Sequence, residues 1–247
     1  MTHPLVMAMT GASGAIYAAR LLQVLAQHSD RQVIVTISRS GATVIREELG
    51  VNLDLRRPDW SQLWPAQLGR LASSGRSGLA RHMQEHPELW ELAGGAPRLD
   101  LIRYVHYEDY MAPIASGSFL TSGMVIVPCS GSTLSSIVRS GADNLIHRAA
   151  EVHFKERRKL VVVPRETPVS QSQLENMARA SQLGAVVLPA MPGWYHGVHS
   201  LVDLVDFVVA RILDQFEVPH QLMRRWGEPE ERPGAVTPDS ILPRSGR

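Results

Sequence analysis

Two short turns rich in glycine and small hydroxyl residues are the first places where this sequence could do chemistry. Thr10-Gly11-Ala12-Ser13-Gly14-Ala15 follows the apolar run Leu5–Met9 and leads straight into a helical pattern. Glycine permits the tight turn. The amides opening the helix, with the Ser13 hydroxyl, make a place for an anion. The same residues also read as an ordinary strand-to-helix corner with Ser13 as N-cap. They do not spell G-x-G-x-x-G, so the dinucleotide fingerprint is absent. Cys129-Ser130-Gly131-Ser132-Thr133 repeats the device after Met124–Pro128. Together the turns describe a crevice of neutral donors, suited to a flavin phosphate and ribityl chain. Cys129 has no His partner placed by the sequence and reads as a packing residue before a nucleophile.

A cationic and aromatic set lies further along. Arg148 and Lys155 are seven residues apart on one helical pattern, hence on one face. Arg157, Arg158 and Lys159 suit a helix C-terminus, where cations are favourable. Arg165-Glu166 follows the apolar run Leu160–Pro164 directly, and a charged pair there needs a ligand or a partner. Pro189 to His196, PAMPGWYH, is a stiff loop in which the Tyr195 phenol can meet a phosphate or a ring. Arg211 interrupts the run VDFVVARIL, and a buried arginine there calls for an acid or an anionic ligand.

The elements that must position these residues alternate. Strands are expected at Leu5–Met9, Gln32–Ile37, Leu101–His106, Met124–Pro128, Leu160–Pro164 and Ala185–Leu188. Helices are expected at Gly14–Gln27, Ala42–Leu49, Thr133–Ser140, Asn144–Arg158, Ser172–Leu183 and Leu201–Phe216. Continuous apolar strands point to a parallel sheet covered on both faces. The alternation predicts an α/β fold of three layers around a doubly wound, mainly parallel sheet, Rossmann-like or flavodoxin-like, with ligands beyond the strands' carboxyl ends. The last helix is too broadly apolar to stand in solvent and must pack on the sheet or on another subunit. One domain is expected over residues 1–226, with a helical insertion at about 55–99 centred on SSGRSG. Residues 227–247, rich in Pro, Gly and charge, read as a disordered tail.

Composition narrows the classes. A formal net charge of +1 argues against a nucleic-acid binder. No apolar stretch is long enough to cross a membrane. The ten His are neither clustered nor spaced as H-E-x-x-H, so no metal site is expected. The single Cys129 and the short N-terminus, without a leader pattern, suit the cytoplasm.

In this order, TGASGA, APIASGSF, PCSGSTL, NLIHRAAEVHFKERRKLVVVPRETP, MPGWYH and LVDLVDFVVARIL resemble the flavin prenyltransferase family, over residues 5–54 and 101–226. The resemblance implies transfer of a dimethylallyl group from dimethylallyl phosphate to N5 and C6 of reduced FMN, without a metal. Phosphate is released, and the prenylated FMN passes to a UbiD-type decarboxylase. It implies FMN contacts at Gly11, Ala12, Ser13, Ser38, Ser130, Gly131, Ser132, Thr133 and Arg165. It places Tyr195, Arg211 and Lys155 on the prenyl donor, Arg148 as added positive charge, and Ser13, Glu48 and Glu166 on proton handling. Trp226 and Tyr110 would shelter the allyl group, Tyr110 standing where relatives commonly carry Trp. A homo-oligomer, a dodecamer with sites shared between subunits, is also implied. Two other readings remain. A flavin-dependent cysteine-type decarboxylase would carry P-x-M-N-x-x-M-W, whereas PAMPGWYH lacks that Asn. A non-catalytic FMN carrier would need no cationic second pocket.

Overall fold

The computed structural model of the protein describes residues 3–65, 67–68, 78–92 and 96–227. Its apolar runs become the strands β1 (Leu5–Met9), β2 (Val33–Ile37), β3 (Ile102–Tyr104), β4 (Gly123–Cys129), β5 (Leu160–Pro164) and β6 (Val186–Val187). They form one parallel sheet in the order β3-β2-β1-β4-β5-β6. That is the Rossmann order, and it decides between the two doubly wound variants expected. Every residue of β1, β2, β4 and β5 is buried, as a sheet covered on both faces requires. The edge strands β3 and β6 are shorter than their apolar runs, because an edge has a neighbour on one side only.

Helices α1 (Ala15–His28), α2 (Arg39–Leu49), α3 (Gly78–Glu85) and α4 (Pro87–Trp90) come before β3. Then follow α5 (Gly131–Val138), α6 (Leu145–Lys155), α7 (Gln171–Gln182) and α8 (Leu201–Gln215). Helices α2 and α5 start earlier than expected, because Ser38 and Ser130 are their N-caps; α6 stops at Lys155. Leu5, Met7 and Met9 pack with α1, α2 and α8, while Val6 and Ala8 face α5 and α6, completing three layers.

The broadly apolar α8 packs on α1. Its Asp206, an apparent flaw in that surface, forms a buried two-pronged ion pair with Arg20: Nε to Oδ1 is 2.6 Å and Nη2 to Oδ2 is 2.8 Å. Arg20 Nη1 also donates to the Trp90 carbonyl at 2.6 Å. The insertion is therefore docked on α1, and its Leu63, Leu68, Met83 and Trp90 are core residues. The SSGRSG centre, apart from Gly78, and the tail beyond Gly227 fall outside the described residues. Arg158 closes α6 through its backbone, N to the His153 carbonyl at 2.9 Å, while the side chains of Arg158 and Lys159 bond to the carbonyls of Phe119 and Gln215.

Helix α6 also buries His153. Its Nδ1 lies 2.7 Å from the Ala149 carbonyl, which can only accept, so Nδ1 holds the proton and Nε2 accepts from the Thr121 hydroxyl at 2.8 Å. Burial depresses the imidazole from 6.5 to about 4. The unfolded chain thus takes up its proton first as pH falls. The stability held above pH 6.5 is lost on the way down to pH 4, by about 1.4 kcal/mol per unit and about 3 kcal/mol in all. Urea unfolding at pH 7.5 and 4.5 checks this: His153→Gln is expected to flatten the pH dependence, and an unchanged slope would count against it.

Candidate functional site

The strand order reverses between β1 and β4, and the crevice outside their carboxyl ends is where a doubly wound sheet holds its ligand. Both hydroxyl-rich turns leave the sheet there, and Thr10 ties them together. Its hydroxyl donates to the Pro128 carbonyl and accepts from Ser130 N, both at 2.8 Å. Ser38 caps α2 by accepting from Gly41 N at 3.0 Å, with the Ser40 hydroxyl 3.2 Å away. A Cβ on Gly11 would lie 2.6 Å from Ser40 Cβ and Oγ, so only glycine lets the first turn approach α2 this closely. Ser130 caps α5 through Thr133 N at 3.3 Å, with the hydroxyls of Ser132 and Thr133 at 3.1 and 3.0 Å.

At the start of α1 the structure corrects the sequence. The N-cap is Gly14, at φ 110°, and not Ser13. The amides expected to hold an anion are taken by Glu48 of α2, whose carboxylate accepts from Gly14 N at 2.9 Å and Ala15 N at 2.8 Å. Arg165 lies across from it and donates through Nε to the Ser13 carbonyl at 3.2 Å. Ser13, Gly14, Tyr17, Glu48, Leu79 and Arg165 line a crevice of about 500 Å³. Tyr17, which the sequence reading missed, has its phenol pushed up by burial, with Arg165 pulling it down and Glu48 adding to the rise. Its only sequence signal is its place three residues beyond Gly14.

Glu166 points to the second turn. Gln173 Nε2 donates to its Oε2 at 3.0 Å, and a Cβ on Gly131 would lie 2.9 Å from the same nitrogen. Gln173 is itself held by the capping box of α7, where Ser170 N donates to Gln173 Oε1 at 2.9 Å. The sequence reading missed it, although Ser170-x-x-Gln173 is a recognisable capping signal. Gln173→Ala is expected to lower turnover about tenfold with a smaller loss of FMN affinity, because it frees Glu166 and leaves the hydroxyls of the second turn bonded to one another. Equal losses in turnover and affinity would sink that assignment. Cys129, fully buried with its thiol pushed up to about 12, is no nucleophile.

The remaining expected site residues form other groups within the chain. Arg148 and Lys155 do share a face, which meets the loop after β3. Arg148 Nε donates to the Ala115 carbonyl at 3.1 Å, and Lys155 pairs with Glu156 beside Gly117 at 2.6 Å. Tyr110 on that loop bonds to the Ala142 carbonyl and is exposed. Tyr195 and Trp226 meet edge to face with ring centres 5.7 Å apart, in a pocket with Arg224 and Arg225. Arg211 is exposed, against expectation, and pairs with Asp214 at 2.7 Å. Helical geometry explains it: Val205, Val208, Val209 and Ile212 make the buried stripe of α8, and position 211 falls outside it.

The donors at the switch point fit FMN. Two hydroxyl-capped helix starts offer neutral hydrogen bonds to a phosphate and ribityl chain, and Arg165 adds one positive charge.

The family model described as Flavoprotein matches residues 1–213. The chain is 45% identical over 222 residues to "Flavin prenyltransferase UbiX" of Pseudomonas aeruginosa, covering 90% of this chain and 93% of that protein. It is 40% identical over 219 residues to the protein of the same name from Halalkalibacterium halodurans, covering 89% and 91%. Among solved structures, AnUbiX (PadA1) in complex with FMN and dimethylallyl pyrophosphate superposes with a TM-score of 0.70 at 30% identity, over 93% of this chain and 100% of that one. A dodecameric FMN-dependent UbiX-like decarboxylase from Escherichia coli O157:H7 gives 0.65 at 34% identity, over 88% and 96%.

Proposed function

We propose that this chain, which belongs to the flavin prenyltransferase family, joins a dimethylallyl group from dimethylallyl phosphate to N5 and C6 of reduced FMN and releases phosphate. The observation that carries the reading is the meeting of both hydroxyl turns, Arg165 and Glu48 at the switch point. Bound reduced FMN supplies the nucleophilic N5 and C6. The chain's residues do the rest. Ser13, Ser38, Ser130, Ser132 and Thr133, with the backbone at Gly11, Ala12 and Gly131, bind and orient the flavin's phosphate and ribityl chain. Arg165, Lys155 and Arg211, with Arg148, offset the negative charge growing on the leaving phosphate. Tyr195 donates its phenol to that phosphate. Tyr110 and Trp226 present ring faces to the electron-poor allyl group. Ser13, Glu48 and Glu166 move the protons.

Arg148, Lys155 and Tyr110 reach this chemistry, in our reading, by crossing to a neighbouring subunit of a homo-oligomer, a dodecamer like the E. coli neighbour. The support is the segment after β3, which Arg148 meets at Ala115 and which exposes Tyr110, Met111 (92% exposed) and Leu120. We place the enzyme in the cytoplasm, passing prenylated FMN to a UbiD-type decarboxylase. Among the described residues no helix is long and apolar enough to cross a membrane.

The test is anaerobic. The protein, reduced FMN and dimethylallyl phosphate are expected to yield inorganic phosphate and a flavin heavier by one C5H8 unit. Mass spectra showing unmodified FMN with both this donor and the pyrophosphate would remove the proposal.

A further inference from the structure

The loop that carries Tyr195 is fastened to one side of α8. Asp203, Phe207 and Arg211 follow one another at four-residue spacing on that helix, so they lie in one row. Asp203 holds the loop's end: its Oδ2 accepts from His199 N at 2.8 Å and from Ser200 N at 2.7 Å. Its backbone carbonyl makes the next link. That carbonyl can only accept, so His196 Nε2, 3.1 Å away, holds the proton and donates. The His196 ring then stacks on Phe207, with centres 5.0 Å apart and planes 28° apart.

Tyr195 stands across this pair. It meets Phe207 at 89° with ring centres 5.9 Å apart, and His196 at 85° with centres 6.1 Å apart. Edge-to-face packing at such distances is a favoured geometry for aromatic rings. Gly193 makes room for it: a Cβ there would lie 3.0 Å from both Phe207 Cζ and Tyr195 Cε1. Tyrosine has only two side-chain torsions, so rings that set its plane also set where its hydroxyl points. Phe207 comes one turn before Arg211, and Cβ atoms at that spacing are about 6 Å apart. The phenol is thereby held a fixed step from that arginine. Asp214 joins Arg211 at 2.7 Å to Arg225 at 2.8 Å, and Arg225 lines the same pocket as Tyr195.

We propose that Phe207 is a positioning residue for the prenyl donor: its ring, with His196 stacked on it, aims the Tyr195 phenol at the donor phosphate beside Arg211. The role rests on the prenyl-transfer reading.

The test measures kcat and KM for dimethylallyl phosphate by phosphate release, and FMN affinity separately by flavin fluorescence. Phe207→Leu keeps apolar bulk and removes the flat ring. It is expected to lower kcat/KM about tenfold, through KM and not kcat, as loss of uniform binding does. FMN affinity should stay at the wild-type value. Phe207→Tyr keeps a ring in place and is expected to recover most of the loss. In a Tyr195→Phe background there is no phenol to aim, so Phe207→Leu is expected to cost less than about twofold further. With a wild type that makes prenylated flavin, a KM unmoved by Phe207→Leu, or an equal loss persisting on Tyr195→Phe, would overturn the positioning role alone. A wild type that prenylates no flavin would overturn the prenyl-transfer reading and this role with it.

Discussion

Arg165→Met is expected to slow prenyl transfer by about 10²–10³-fold, the usual cost of removing one charged donor aimed at developing negative charge. Arg165 leaves the sheet directly after β5, and its Nε is anchored on the Ser13 carbonyl. The anchor fixes the plane of the guanidinium beside the crevice, and the described residues supply no partner for its two terminal NH2 groups. Those groups can reach a phosphate without reorganising at the moment of reaction. Methionine keeps much of the side chain's reach and removes both charge and fork. Arg165→Lys is expected to recover part of the rate, since it restores the charge without the bidentate geometry. Released phosphate measures turnover, and flavin fluorescence measures FMN affinity separately. Turnover of Arg165→Met within about threefold of wild type would show that the leaving group is neutralised elsewhere.

The second large effect is on stability. Asp206→Ala is expected to cost about 3–5 kcal/mol, because it leaves Arg20 charged and buried without its carboxylate. The two side chains are 3% and 9% exposed, so water cannot replace the lost partner. Burial pushes the Asp206 carboxyl up, while the Arg20 fork pulls it back toward ionisation. Arg20 also holds the Trp90 carbonyl, so the insertion should loosen with the pair. Replacing both partners, Arg20→Met with Asp206→Leu, is expected to regain most of the loss, since no isolated charge remains. Urea unfolding of the three variants measures this. A double variant as unstable as Asp206→Ala would mean that packing, not charge, carries the effect.

These two residues differ in how far the sequence announces them. Arg165 is conspicuous: a charge placed just past an apolar strand stands where a doubly wound fold keeps its ligands. Asp206 reads as a flaw in an apolar helix, because its partner is 186 residues away and nothing local names it. Arg148 and Lys155 were legible as one helical face, since a seven-residue spacing is a local property. That this face meets Ala115 and Gly117, away from Ser13, follows from how α6 packs on the loop after β3.

By itself, then, the sequence determined the strands, the alternation with helices, the two hydroxyl turns and the family. All of these are written in short-range pattern: continuous apolar runs, Gly and Ser at strand ends, and motifs read in order. The tertiary structure alone decided that β1 and β4 are neighbours, which makes two separate turns one crevice. It alone put Glu48 on the amides of α1, seated the insertion on Arg20, and spread the cationic residues into separate groups within one chain. The physical reason is common to all. Strand order and helix packing bring together residues far apart in the chain, and no local spacing carries that information.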